Sequence, residues 1–206
     1  MSNTIKIHGF PLSGHSHRVQ LFTSVAEIAH EVIYVDLPKG EHKKAPFLEL
    51  NPLGEVPVIE DGDVVIQDSI SILIYLARQY APEFIPLDIQ DEVEMHRFLN
   101  MSASEIFYGP CTARLITVFN SPADPVFAIA TAEKALKKLE TQLIGHDYLV
   151  ANKLSLADIA IYSYVAHAPE GNVSLEPYTN VRRWLANIES LKGFIPMKET
   201  KVGLVA

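Results

Sequence analysis

The chain has 206 residues, 48% of them apolar and 20% charged, an ordinary globular mixture that excludes disorder as the main state. Lys plus Arg number 17 against 25 for Asp plus Glu, a formal charge of −8 that is shared evenly, since residues 1–82 hold 6 basic and 10 acidic side chains and residues 83–206 hold 11 and 15. No basic stripe is left to neutralise phosphates, which argues against nucleic acid or an anionic membrane as partner.

The first eighty residues alternate strand and helix signals. Thr4–His8 reads as a short strand with Ile5 and Ile7 on one face. After the Pro11–Gly14 turn, Ser16 can cap a helix whose apolar positions Val19, Phe22, Val25, Ala26 and Ala29 follow the 3.6-residue period. Val32–Asp36 is a second, β-branched strand, followed by the charged loop Lys39–Lys44 and a helical turn around Phe47–Leu50. Val58–Glu60 and Val64–Ile66, separated by Asp61-Gly62, read as a hairpin, because Asp-Gly supplies the positive φ of a tight turn. Asp68 or Ser69 then caps a helix carrying Ile70, Leu73, Ile74 and Ala77. A crossover makes the first two strands parallel and the hairpin is antiparallel, so the sheet is mixed. Ala81–Asp88, with two prolines, separates this α/β part from a helical one. There the candidate helices are about 89–118, 125–143, 156–167 and 177–190, with breaks at Ser121–Asp124, Gly145–Asp147 and Ala168–Gly171.

A single cysteine, Cys111, and no CxxC exclude an internal disulfide and a dithiol centre. His15 and His17 are two apart, the wrong spacing for one helical face, so no metal is expected. The segment MSNTIKIHGF has neither the basic start nor the apolar block of a signal peptide, and no stretch reaches the ~18 apolar residues of a membrane span. A soluble cytoplasmic protein is expected.

FPLSGHSHRVQL, then NPLGEVPVIEDG, then QDSISILIYLA, then LVANKLSLADIAIYSYV run in order along nearly the whole chain. Together they resemble the cytosolic glutathione S-transferases, of the bacterial serine type. The resemblance implies a thioredoxin-like N-terminal domain (1–81), a linker (82–88) and an all-helical C-terminal domain (89–206) lining the electrophile pocket. It also implies a homodimer that uses glutathione as co-substrate, in the chemistry of detoxification.

A hydroxyl directly after the first strand, at the start of a helix, lies where backbone N–H groups and the positive end of the dipole converge, so an anion is favoured there. By resemblance, Ser13 donates a hydrogen bond to the glutathione sulfur, while Ser16 is read as a plain cap. Many bacterial members carry Ser-Gly-Asn in this turn and the maleylacetoacetate isomerase branch Ser-Ser-Cys. This chain has Ser13-Gly14-His15, which disfavours the isomerase and leaves His15 as a second group able to touch the sulfur. In the family the proline matching Pro57 is cis, letting the residue matching Val56 pair, strand-fashion, with the cysteinyl unit. Asp68 suits the γ-glutamyl ammonium, and Ser69 with its helix N-terminus suits the carboxylate. For the glycyl carboxylate the loop offers His42, Lys43 and Lys44. Phe107, Tyr108, Arg114 and Tyr164 fall where the family builds its electrophile pocket. Ser155-Leu156-Ala157-Asp158 resembles a capping box, a folding element with no catalytic role. The rival readings are a glutathione-dependent isomerase or dehalogenase and a non-catalytic, transferase-like interaction protein.

Overall fold

The computed structural model describes residues 4–206; residues 1–3, at the head of the N-terminal segment, lie outside the described residues. By internal contacts the chain forms two compact units, residues 1–82 with 191–198, and residues 83–190 with 199–206.

The first unit is built on four strands, β1 (Ile5–Gly9), β2 (His30–Tyr34), β3 (Val58–Asp61) and β4 (Val64–Gln67), in the order β2-β1-β3-β4. β1 runs parallel to β2 and antiparallel to β3, and β3 is antiparallel to β4. The expected mixed sheet is present. Side chains alternate along each strand, so His8 and its partner Val58 face one side while Ile7 and its partner Ile59 face the other. On the first side lies the short helix α2 (Ala45–Leu50), whose Phe47 packs with Val35 and Val58 and meets the His8 ring edge-on. On the other lie α1 (Gly14–Val25) and α3 (Ser69–Tyr80), burying Val19, Leu21, Phe22, Ile72, Leu73 and Leu76. Removing six such side chains from water is favourable by roughly 1.5–3 kcal/mol each and is the main force holding the helices to the sheet.

Three local expectations shift. The α1 helix is capped by Ser13, whose Oγ accepts from the Ser16 amide, whereas the Ser16 hydroxyl is buried and accepts from Phe10 N. The helix stops at Val25, with Glu27 at φ 53°, so Ala29 is exposed and outside it. In the hairpin, Asp61 stays in the strand opposite Val64, and Gly62, at φ 59°, opens the turn instead. Asp61 is kept in line because the Tyr75 and Tyr80 hydroxyls both donate to its Oδ2, which lifts the Tyr80 hydroxyl to about 12.

Residues 191–198, expected in the helical part, return to the first unit. Ser24 Oγ donates to Gly193 O at 2.6 Å, and His17 Nε2 lies 2.8 Å from Ile195 O. Gly193 sits at φ 82°, where a Cβ would stand 2.6 Å from Ser24 O, so only glycine fits this crossing.

The second unit is helical: α4 (Ile89–Met101), α5 (Thr112–Phe119), α6 (Pro125–Gln142), α7 (Leu156–Ala166) and α8 (Thr179–Glu189). The expected single helix 89–118 is divided by a π-helical stretch, Ser102–Cys111, that breaks at Gly109 (φ −93°, ψ −106°) ahead of Pro110. Proline has no N–H to continue the ladder and its ring crowds the preceding turn. The missing Cβ at Gly109 also admits α6, since one would stand 2.8 Å from the Ala132 backbone. α7 is buried along nearly its whole length and starts from the capping box, Ser155 Oγ accepting from Ala157 N and Asp158 Oδ2 from Ser155 N. Asp158 Oδ1 accepts from Leu149 N and from Trp184 Nε1, both at 2.9 Å. One carboxylate thus ties the loop, the α7 start and α8. Replacing Asp158 by alanine leaves three buried N–H donors unanswered, each costing about 1–3 kcal/mol, and removes the acceptor of the Ser155 hydroxyl. Urea unfolding of Asp158→Ala is expected to show a loss of roughly 3 kcal/mol or more; a loss near the ~1 kcal/mol of a simple exposed cap would contradict this account.

Candidate glutathione site

The polar groups singled out in the first unit gather at two helix starts. At the start of α1, Ser13 has an extended backbone (φ −91°, ψ 114°), its amide donates to Phe10 O, and its carbonyl receives His17 N. Its Oγ accepts the Ser16 amide at 3.2 Å. A hydroxyl has acceptor lone pairs and one hydrogen, so capping leaves the Ser13 O–H free to donate outward. Cap and donor are therefore compatible roles for one side chain.

At the start of α3, Asp68 is the N-cap at φ 66°, and its Oδ1 accepts from both Ile70 N (3.1 Å) and Ser71 N (2.8 Å). The helix end thus spends two of its amides on its own cap. Asp68 is exposed and its Oδ2 takes no part in the cap. Arg18, in the second turn of α1, donates from NH1 to Ser69 Oγ at 3.1 Å, and His15 Nδ1 lies 3.4 Å from the same oxygen. Arg18 is 1% exposed. Sequence reasoning missed this residue; its signal was a charged side chain inside the buried stripe of α1, beside Val19.

His15 points to the Ser69 end. Burial first, and the positive charge of Arg18 second, hold its imidazole down to about 3, so it is neutral at pH 7. His17 is turned away, buried against Ile195.

Between the two sides, the turn ahead of β3 is tied by Asn51, whose Nδ2 donates to Glu55 O at 2.8 Å and whose Oδ1 receives Leu53 N. The Val56–Pro57 bond is cis, and Val56 packs on the Val35–Phe47–Val58 cluster. Lys43 Nζ is spent on Leu53 O and Gly54 O, both at 3.0 Å. Lys44 stays exposed. His42 is half-buried, and its Nδ1 has no hydrogen-bond partner among the described residues.

In the second unit, Phe107 and Tyr108 stack edge to face at 5.2 Å, and Tyr108 is 55% exposed. The other two residues expected beside the electrophile are buried. Tyr164 is buried on α7, and Arg114 is buried with its Nε 2.8 Å from Glu170 Oε2. Cys111 is buried as well.

A mixed sheet with helices on both faces, polar groups at two adjoining helix starts, and a separate helical unit define a thioredoxin-like domain joined to an all-helical one. Comparison with known proteins narrows this class. Residues 12–79 match the glutathione S-transferase N-terminal domain and residues 121–192 the C-terminal domain. Glutathione S-transferase PARB of Nicotiana tabacum is 31% identical over 197 residues, spanning 89% of this chain and 92% of its own length. Human glutathione S-transferase theta-2 is 30% identical over 193 residues, 88% of this chain and 79% of its own. The crystal structure of a glutathione S-transferase from Pseudomonas fluorescens covers 95% of this chain and 99% of its own at TM-score 0.88 and 26% identity. The chain belongs to the glutathione S-transferase family.

The neutral His15 has a pH consequence. Unfolded, its imidazole takes a proton near the ordinary 6.5, and folded it resists down to about 3. The stability it carries is complete above pH 6.5 and is lost as pH falls toward 3. His15→Asn removes the titration, so the drop in melting temperature between pH 7 and pH 5 should be smaller in the variant. An equal drop in both proteins would show that His15 is protonated in the folded state.

Proposed function

We propose that the protein binds glutathione in its thioredoxin-like domain, holds the sulfur as a thiolate beside Ser13, and adds it to an electrophilic small molecule. The observation that carries this reading is the Ser13 hydroxyl, whose acceptor side is occupied by the α1 amide while its hydrogen remains to give. A thiol of pKa ~8.5 is only about 3% thiolate at pH 7, and a drop of ~2 units raises that to roughly three-quarters. The shift requires about 2.7 kcal/mol of preference for the anion, within reach of a hydroxyl hydrogen bond and a helix N-terminus together. Oδ2 of Asp68 suits the γ-glutamyl ammonium, the Ser69 amide and hydroxyl suit its carboxylate, the Val56 backbone suits the cysteinyl unit ahead of Pro57, and His42 suits the glycyl carboxylate. Lys43 is disfavoured for that role because its ammonium is already engaged by Leu53 O and Gly54 O. The names of the relatives favour transfer over the isomerase, dehalogenase and interaction-protein readings.

We further propose a homodimer working in the cytoplasm. Leu87, Ile89 and Val93 leave apolar surface exposed at the start of α4, a cluster that suits a covered face. Among the described residues no helix is long and apolar enough to cross a membrane. Sedimentation should give twice the chain mass of 22.9 kDa; a single species at the chain mass would defeat the dimer.

Ser13→Ala should raise the thiol pKa of bound glutathione by about 1–2 units and lower turnover at pH 7 by roughly tenfold or more, with binding little changed. Ser16→Ala should instead cost about 1–3 kcal/mol of stability, because it strands the buried Phe10 amide, and leave the thiol pKa in place. Thiolate absorbance against pH checks both. A pKa unmoved in Ser13→Ala would remove Ser13 from the chemistry. Calorimetry should also show one glutathione per chain, weakened in Asp68→Ala by about 1.5–3 kcal/mol for the charged hydrogen bond.

A further inference from the structure

A buried guanidinium is costly unless it answers a polar group, so its placement needs a reason. Arg18 NH1 gives a hydrogen bond to Ser69 Oγ at 3.1 Å, from the second turn of one helix to the first residue of another. His15, in the first turn of α1, approaches Ser69 Oγ at 3.4 Å through Nδ1. The α3 amides that would ordinarily greet an anion are in part already used, because Ile70 N and Ser71 N donate to Asp68 Oδ1. That carboxylate also lays a negative charge on the helix end and offsets its dipole. An anion arriving at Ser69 therefore meets its hydroxyl and, hydrogen-bonded to that hydroxyl, a fixed positive charge.

We infer that Arg18 is a positioning residue for glutathione: acting through Ser69, its buried guanidinium supplies the charge that compensates the γ-glutamyl carboxylate. The inference rests on the glutathione reading above and says which charge the site uses. With Arg18 donating into one lone pair of Ser69 Oγ, the hydroxyl is polarised and its hydrogen is a stronger donor. In the free protein that hydrogen can rest on the neutral His15 Nδ1, and it can turn to the carboxylate when the ligand arrives. Lysine at position 18 would keep the charge and lose the planar fork that matches the site.

The test couples the residue to one group of the ligand. Affinities are measured by calorimetry for glutathione and for γ-aminobutyryl-cysteinylglycine, which lacks only the γ-glutamyl carboxylate, with the wild type, Arg18→Met and Arg18→Lys. The wild type should prefer glutathione by about tenfold or more, Arg18→Met should lose most of that preference while binding the analogue within about twofold of wild type, and Arg18→Lys should recover part of it. A structural role alone would weaken both ligands together, and that result overturns the inference. So does a wild type that binds the two equally, an outcome readable even where Arg18→Met fails to fold. A wild type that binds neither peptide instead removes the glutathione reading itself.

Discussion

The hydrogen bond from Arg18 to Ser69 ties together the two helix starts on which the rest of the thioredoxin-like domain depends. α1 leaves β1 at the Ser13 turn, and α3 leaves β4 at Asp68. Each start carries groups that need a partner, and each helix packs its apolar side on the sheet. Packing alone sets the helices side by side without fixing their axial position. A hydrogen bond from the buried Arg18 to the Ser69 hydroxyl constrains it, because the distance tolerates only a few tenths of an ångström before the bond is lost. Ser13, His15, Asp68 and Ser69 inherit their mutual placement from that tie.

The economy of these helix starts lies in side chains with more than one valence. Ser13 caps α1 with a lone pair and retains its hydrogen; Asp68 caps α3 with one oxygen and retains the other. A capping role thus does not exclude a chemical one for the same side chain. The helical domain uses carboxylates differently. Asp158 spends itself entirely inward, on Leu149, Ser155 and Trp184. Glu170, 2% exposed, does the same with Arg114, His167 and Thr200, drawing the last residues of the chain onto the helical core. Both are folding centres.

That inward use explains why the expected electrophile residues divided as they did. Phe107, Tyr108 and Arg114 share a sequence neighbourhood, and Tyr164 lies on the later helix α7. Burial separates them: Arg114 is consumed by Glu170, fifty-six positions away, a partner that no local pattern announces. The long helix read over 89–118 failed for a more local reason. At Gly109-Pro110 one missing N–H and one bare Cα suffice to break the ladder where α6 crosses.

The sequence by itself determined the order of elements, the mixed sheet, the capping box at Ser155 and the family, because these rest on short-range chemistry: apolar period, turn residues and polar groups a few positions apart; it left the caps of α1 and α3 each between two neighbouring polar residues. It determined that Asp68 and Ser69 stand together, since they are adjacent in the chain. Only the tertiary structure decided that His15 turns toward Ser69, that Arg18 stands behind that hydroxyl, and that residues 191–198 return to the first unit. Each of these is a contact between segments fifty or more residues apart. Such contacts are selected by which buried polar groups can satisfy one another once the sheet has closed, and a linear pattern carries no record of that geometry.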